Sequence, residues 1–399
     1  MKTLLQFGAG KIGRSFIAQI FSRAGYRIIF VDIDPCLVKS INEKGSYRVI
    51  ITGNEGVTEE YLVENIAAIE ISSTKKVIHA IQTADIISVS VGKKSLLPLA
   101  RIFARGIKNR YQEKRKAPVD IILAENVKGA AELLSGEIRR RIPEVPLSSY
   151  VGFVETSIGK IVPTMTEEQL HQDPLGVYAE PYNQLIVDAS GFRAGIPGVP
   201  ELDPKVYLKP YADRKLFIQY LGHTVLACQA HAAYPELKFT WEALEKNDIR
   251  RITRLTMLQS ADILQRMYPS EFSMEQLEAH IADLLKRFAN RSLGDTIFRA
   301  GCNLPEKLGR EDRLMAPIVQ AMELGMKYNL ILEAWIRGCF FSATDENGRN
   351  CPENRKFKQK FNADPLRILR EHCNFDPTLD EEIFHATESI LKQFSHEYS

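Results

Sequence analysis

The chain has no apolar run approaching the roughly 18 residues that a membrane-spanning helix needs, no CxxC pair, no internal repeat and no long low-complexity tract. Each absence removes a class of protein. No bilayer-spanning helix is expected. The six cysteines, Cys36, Cys228, Cys302, Cys339, Cys351 and Cys373, are too scattered for a disulfide framework or a zinc site. They read as reduced, mostly buried thiols of a cytoplasmic protein. Charge is also nearly balanced, with 52 Lys and Arg against 50 Asp and Glu for a net +2. Electrostatics therefore recommends neither nucleic acid nor an anionic membrane as a partner. The first residues already read as strand, with no basic and apolar leader before them, so no signal peptide is expected. Hydrophobic content of 45% in 399 residues supplies ample core for a soluble globular chain, and the length suits two domains.

What is present concentrates at the start. Residues 3–34 read TLLQFGAGKIGRSFIAQIFSRAGYRIIFVDID. An apolar run ending at Phe7 leads into Gly8-Ala9-Gly10-Lys11-Ile12-Gly13. Ile12, Phe16, Ile17 and Ile20 follow at helical spacing, Gly25 ends that helix, and a second apolar run reaches Asp32. Gly8 is expected to permit the tight turn, Gly10 to let backbone amides reach a pyrophosphate, and Gly13 to let helix and strand pack closely. The helix N-terminus offers N–H groups and the positive end of a dipole to phosphates. Asp32 stands where an acid bonds a ribose 2′-hydroxyl, and it would repel a 2′-phosphate. A lone GxGxxG is a weak signal, but strand, turn, helix, strand and acid in register predict a dinucleotide site. NAD is favoured over NADP.

Residues 47–52 alternate as a strand does. Residues 84–91 and 119–123 are β-branched runs ending at Gly92 and at Ala124-Glu125-Asn126. Helical patterns at 94–109 and 127–141 separate them. This alternation predicts an α/β fold with a parallel, doubly wound Rossmann sheet, whose ligands sit at the carboxyl ends of strands. Gly92 and Asn126 occupy such ends, and Asn126 is expected to face the nicotinamide. The basic run 108–116 reads as a solvated loop. Residues 150–154 and 178–187 read as strands extending the sheet around a polar loop, 164–174. The Gly- and Pro-dense stretch 191–204 reads as a linker. Beyond it, 207–233, 241–268, 273–290, 310–328 and 329–341 are helical, 343–360 is a polar connector, and 364–395 offers one or two helices. The expected division is a Rossmann-type NAD-binding domain with sheet extension, 1–197, and a mostly α-helical substrate domain, 198–399, with 343–399 as a C-terminal extension.

Chemistry is expected in the first long helix of the second domain, RKLFIQYLGH at 214–223. On a regular α-helix, residues at i, i+4 and i+8 lie within about 80°. Lys215, Gln219 and His223 then share a face. A lysine beside a cationic nicotinamide can act as general base in alcohol oxidation, with the histidine orienting the substrate hydroxyl. A solvated lysine and a satisfied core histidine would give the same pattern.

From residue 1 to about residue 342 the chain resembles the polyol-specific long-chain dehydrogenases, and among them the mannitol-1-phosphate 5-dehydrogenases. The resemblance is carried by FGAGKIGR near the start, IILAENVKG at 121–129, VGFVETSIGKIVP at 151–163, RKLFIQYLGH, and DTIFRAGCNLPEKLGREDRLMAP at 295–317. It implies hydride transfer between NAD and a polyol carbon without a metal, with mannitol 1-phosphate and fructose 6-phosphate as the leading pair. The family lysine falls on Lys215 as proton acceptor. The histidine falls on His223 and the asparagine on Asn126, as hydrogen-bonding partners of the reacting oxygen or its neighbours. A monomer or small homo-oligomer is implied.

Three positions depart from the family pattern. Tyr220 stands where an asparagine is usual; its phenol, or the amide of Gln219, would take that role. Gly159-Lys160 replaces an Asp-Arg pair, exchanging a planar fork for a point charge. Cys302 replaces an arginine. A phosphorylated substrate calls for cations, for which Lys160, Arg214, Arg299 and Lys307 are candidates; Arg313 reads as structural. Another polyol or a sugar acid as substrate, and a paralogue that holds NAD without turnover, stay open.

Overall fold

The computed structural model describes residues 1–397 apart from 55, 114–116, 128, 164 and 166. The end of the basic run, the lysine of the 121–129 motif and two residues of the loop expected at 164–174 therefore lie outside the described residues. Two compact units divide between Tyr211 and Ala212.

The first unit carries eleven strands among its described residues: β1 Thr3–Phe7, β2 Arg27–Asp32, β3 Tyr47–Gly53, β4 Gly56–Val63, β5 Ile66–Glu70, β6 Ile86–Val89, β7 Val119–Leu123, β8 Val151–Ile158, β9 Val177–Ala179, β10 Leu185–Asp188 and β11 Leu202–Lys205. Eight form one sheet in the order β11-β10-β8-β7-β6-β1-β2-β5, and β4-β3-β9 form a second. From β5 to β8 every neighbour is parallel, which is the doubly wound arrangement expected. Period-two alternation explains the layering. Leu4 turns to one core with Phe16, Ile20, Ile28 and Phe30. Leu5 and Phe7 turn to the opposite core with Ile81, Ile87, Phe103 and Ile121. Helices cover both faces, so β6 and β7 are fully buried and carry no polar alternation. The strand order reverses between β1 and β6, and ligands of such sheets bind outside the carboxyl ends at that reversal.

Several expectations are corrected here. Residues 178–187 are two strands in two sheets: β9 pairs with β3 and β10 with β8. Pro181 lies between them, and proline has no N–H for a ladder. The stretch 191–204 is no free linker, because it ends in β11 and the Arg193 and Ala194 amides donate to Asp120 at 2.7 and 3.1 Å. Within 164–174 lies the helix Glu167–Gln172, and 108–112 is the end of the helix Lys93–Gln112. The connector 343–360 contains most of the helix Pro352–Phe361.

Asp120 explains a glycine. It is 1% exposed in the middle of the sheet, and it pairs in register with Gly152 on β8. Burial raises its pKa, and the two amides partly offset that. A Cβ on Gly152 would overlap the Asp120 carboxylate and stand 2.6 Å from the Gly191 carbonyl oxygen. Gly152→Ala is therefore expected to destabilise the chain by about 1–3 kcal/mol, the usual cost of overpacking, as a lowered denaturant midpoint at unchanged m-value.

The second unit is helical. Its central element, Leu221–Ala233, is buried on nearly every side, and Asn247–Met267, Ile297–Gly301 and Asn329–Phe340 pack against it. A Cβ on Gly222 would meet the Met257 sulfur at 2.6 Å, so the glycine marks the close approach of two helices. Among the described residues no helix is long and apolar enough to cross a membrane.

Candidate functional site

In the first unit the glycine turn follows β1. The Gly8 amide donates to Val31 at 2.8 Å and the Ser90 amide to Phe7 at 2.8 Å, stitching the turn to the strands on either side. Gly8 has φ +90°, and a Cβ there would run into the Ser90 carbonyl; one on Gly13 would collide with the Gly8 carbonyl. These two glycines are required by the fold itself. Gly10 is different: no heavy atom lies within 4 Å of where its Cβ would stand. Its bare backbone leaves a cradle that a side chain would fill, at the start of the helix formed by Gly13–Ile17 and Ala18–Arg23.

Asp32, at the end of β2, is tied to that turn. Its Oδ2 accepts the Ala9 amide at 2.6 Å and its Oδ1 the Asp34 amide at 3.0 Å. Carboxylate oxygens have further lone pairs for a ribose hydroxyl. Lys11 lies exposed with its ammonium 3.4 Å from the Pro163 carbonyl, and Ile12 packs against the core. Together these groups fit a pyrophosphate and an unphosphorylated ribose.

Gly92, φ +85°, caps the helix Lys93–Gln112. Its amide and that of Val91 donate to Glu125, whose pKa burial raises and these amides partly lower. Glu125 thus braces the end of β6 from the end of β7. Sequence reasoning passed over it, although it directly precedes Asn126. Asn126 itself is exposed at the end of β7. Lys160 is 6% exposed; its ammonium bonds Asn183 at 2.5 Å and lies 5.1 Å from the Phe16 ring centroid.

In the second unit the face assumed for Lys215, Gln219 and His223 is corrected. Lys215–Tyr220 is a π-helical turn, whose backbone hydrogen bonds reach one residue further along the chain than those of an α-helix. The residue beside Lys215 one turn on is then its fifth neighbour, Tyr220, whose ring centroid lies 4.8 Å from the Lys215 ammonium. Lys215, Tyr220 and His223 are each partly exposed, while Gln219 is 6% exposed and turned into the core. Such bulges recur at functional sites. Arg214 lies 5.5 Å from the Phe272 ring centroid.

His223 is held from behind. Its Nε2 is 2.5 Å from Asp295 Oδ2, and Arg299 Nε lies 3.1 Å from Asp295 Oδ1. Burial alone would raise the Asp295 carboxyl. The charge and hydrogen bond of His223, then the charges of Arg299 and Lys307, outweigh burial and hold it below the usual carboxylate range. An ionised carboxylate only accepts, so Nε2 carries the proton and a neutral ring offers Nδ1 as acceptor. Sequence reasoning missed Asp295; the hint was an acid four residues before Arg299.

Lys307, 8% exposed, donates to the Ala300 carbonyl at 2.6 Å. Burial and the nearby Arg313 charge push it down to about 8. The Arg313 guanidinium carbon lies 4.7 Å from the Tyr220 ring centroid, and its Nε bonds Asp312 at 2.6 Å. The second unit thus assembles Lys215, Tyr220, His223, Arg299, Lys307 and Arg313 around Asp295 and Asp312. Two cavities of this unit, of about 670 and 440 Å³, are both lined by the C-terminal helix Glu381–Glu397 and by none of these candidates.

The mannitol dehydrogenase Rossmann domain matches residues 2–201 and the mannitol dehydrogenase C-terminal domain residues 207–390. The mannitol-1-phosphate 5-dehydrogenase of Geobacillus stearothermophilus is 33% identical over 324 residues, 80% of this chain and 82% of that relative. The enzyme of the same name from Lactococcus lactis subsp. cremoris (strain MG1363) is 31% identical over 402 residues, spanning both chains completely. In fold, the chain is similar to a substrate-free D-sorbitol dehydrogenase, with TM-score 0.81 at 15% identity over 97% of this chain and 91% of that one. It is also similar to a Pseudomonas fluorescens mannitol 2-dehydrogenase in ternary complex with NAD and D-mannitol, with TM-score 0.74 at 14% identity over 98% and 91%.

Proposed function

Because the chain belongs to the mannitol dehydrogenase family, we propose that it is an NAD-dependent polyol dehydrogenase interconverting mannitol 1-phosphate and fructose 6-phosphate. The relative that spans the whole chain bears the name of that activity, and the glycine cradle with Asp32 suits NAD. The observation that carries the reading is the stripe of Lys215, Tyr220 and His223, with His223 held by Asp295 and cations clustered around it. On oxidation, NAD supplies the acceptor for the hydride that leaves the alcohol carbon. Lys215, in its unprotonated form, takes the hydroxyl proton as the C=O bond forms, and returns it on reduction. His223 Nδ1 accepts from a substrate hydroxyl, its ring fixed by Asp295. Asn126 is a proposed hydrogen-bonding partner of the reacting oxygen or its neighbours. The six free thiols suit a reducing compartment such as the cytoplasm.

Arg299 and Lys307 are proposed to receive the phosphate, which sets a pH dependence. Lys307 loses its charge as pH rises through about 8, so KM for mannitol 1-phosphate is expected to rise above that pH, approaching tenfold per unit. The same group acts oppositely on the fold. Between about 8 and the ordinary lysine value near 10.4 the unfolded chain binds more protons, so Lys307 contributes increasing stability as pH rises. Lys307→Met should abolish the KM limb. A KM independent of pH from 7 to 10 removes Lys307 from the phosphate site.

The function is tested by NADH absorbance at 340 nm over a panel of hexitols, hexitol phosphates and aldonates, with NAD and NADP. Mannitol 1-phosphate with NAD is expected to give the highest kcat/KM. A better unphosphorylated polyol or aldonate would move the substrate within the family. NADH binding without turnover of anything would favour a nucleotide sensor, the reading that Tyr220 in the asparagine position supports.

A further inference from the structure

Tyr220 stands beside Lys215, the proposed proton acceptor, and its ring has two cations close by. The Lys215 ammonium and the Arg313 guanidinium carbon lie 4.8 and 4.7 Å from its ring centroid. A tyrosine face carries negative potential and attracts cations within about 6 Å, whereas an asparagine at this position would offer only a donor and an acceptor at its tip. The π-helical turn Lys215–Tyr220 brings residues five apart together, so the ring sits beside the lysine by backbone geometry as well as by charge. Arg313 reaches the ring from just before the helix Met315–Leu324, its Nε fixed on Asp312 at 2.6 Å. Two long cationic side chains from separate elements therefore share one aromatic platform.

We propose that Tyr220 works through its ring and not through its hydroxyl: it is a positioning residue that fixes Lys215, with Arg313 as a second cation on the same platform. It acts on the proton-transfer step through Lys215. The proposal rests on the reading of Lys215 as the proton acceptor.

The test uses the full-length enzyme with NAD and mannitol 1-phosphate. Tyr220→Phe keeps the ring and is expected to retain kcat within about threefold. Tyr220→Leu removes the ring and is expected to lower kcat at least tenfold, with the NADH dissociation constant unchanged. In a Lys215→Ala background, Tyr220→Leu is expected to cost less than twofold more, because a residue acting through Lys215 has nothing left to position. If Phe and Leu lose activity alike, the hydroxyl is the working group and the proposal is overturned. It is equally overturned if Leu keeps wild-type kcat, or if Leu lowers the residual rate of the Lys215→Ala enzyme by the same factor as in the wild type. A failure of the underlying reading is visible separately, as a Lys215→Ala enzyme that turns over normally.

Discussion

Lys215→Ala is expected to lower kcat by at least ~100-fold in both directions, the usual scale for losing a general acid–base. The NADH dissociation constant should scarcely change, because the glycine turn and Asp32 are held by the first unit's own strands and amides. Stability should fall only modestly, by about 1 kcal/mol, because the side chain is partly exposed and its contacts include a cation–π pair with Tyr220 of that order. A large loss of rate with little loss of fold or cofactor affinity distinguishes a proton acceptor from a packing residue. Small primary amines added to the alanine variant should restore part of the rate, since they can carry the same proton. Turnover within threefold of wild type would remove Lys215 from the chemistry, leaving the cation cluster as a binding feature alone.

The readability of this chain divides along the range of the forces involved. The glycine turn was legible because its demands are local: Gly8 needs φ +90°, and Gly13 abuts the Gly8 carbonyl five residues away. β7 was legible from end to end because burial on both faces leaves a run that is apolar but for Asp120. The lysine stripe was half legible. Lys215 and His223 stood out by residue type, but the α-helical period chose Gln219, and the π turn put Tyr220 beside the lysine instead. A one-residue change in backbone hydrogen bonding leaves little trace in side-chain propensity. Asp295 was harder still, because it meets His223 across 72 residues of sequence and only tertiary packing makes that pair. The helix Pro352–Phe361 hid behind its polarity. Its signal was a proline at the first helical position followed by Phe357 and Phe361, four apart and buried.

Gly10→Ala and Gly13→Ala should separate what the glycine turn does for the fold from what it does for the cofactor. At Gly13 a Cβ would strike the Gly8 carbonyl and stand 3.2 Å from Ser90 Oγ. That variant is expected to lose about 1–3 kcal/mol of stability by overpacking, and NADH affinity with it as the turn shifts. At Gly10 nothing stands within 4 Å and the residue is exposed. Alanine should therefore leave the thermal midpoint within about 2 °C of wild type, as surface substitutions usually do. Yet the methyl would occupy the cradle where backbone amides must approach a pyrophosphate, and NADH binding is expected to weaken roughly 10–100-fold, or about 1.4–2.8 kcal/mol. Calorimetric titration with NADH beside a thermal scan of each variant reads both quantities. An undiminished NADH affinity in Gly10→Ala would mean that the cofactor's phosphates do not rest on this turn, whatever the strand order and Asp32 suggest. A loss confined to binding would tie the open space at residue 10 to the dinucleotide itself, since no packing requirement of the fold accounts for glycine there.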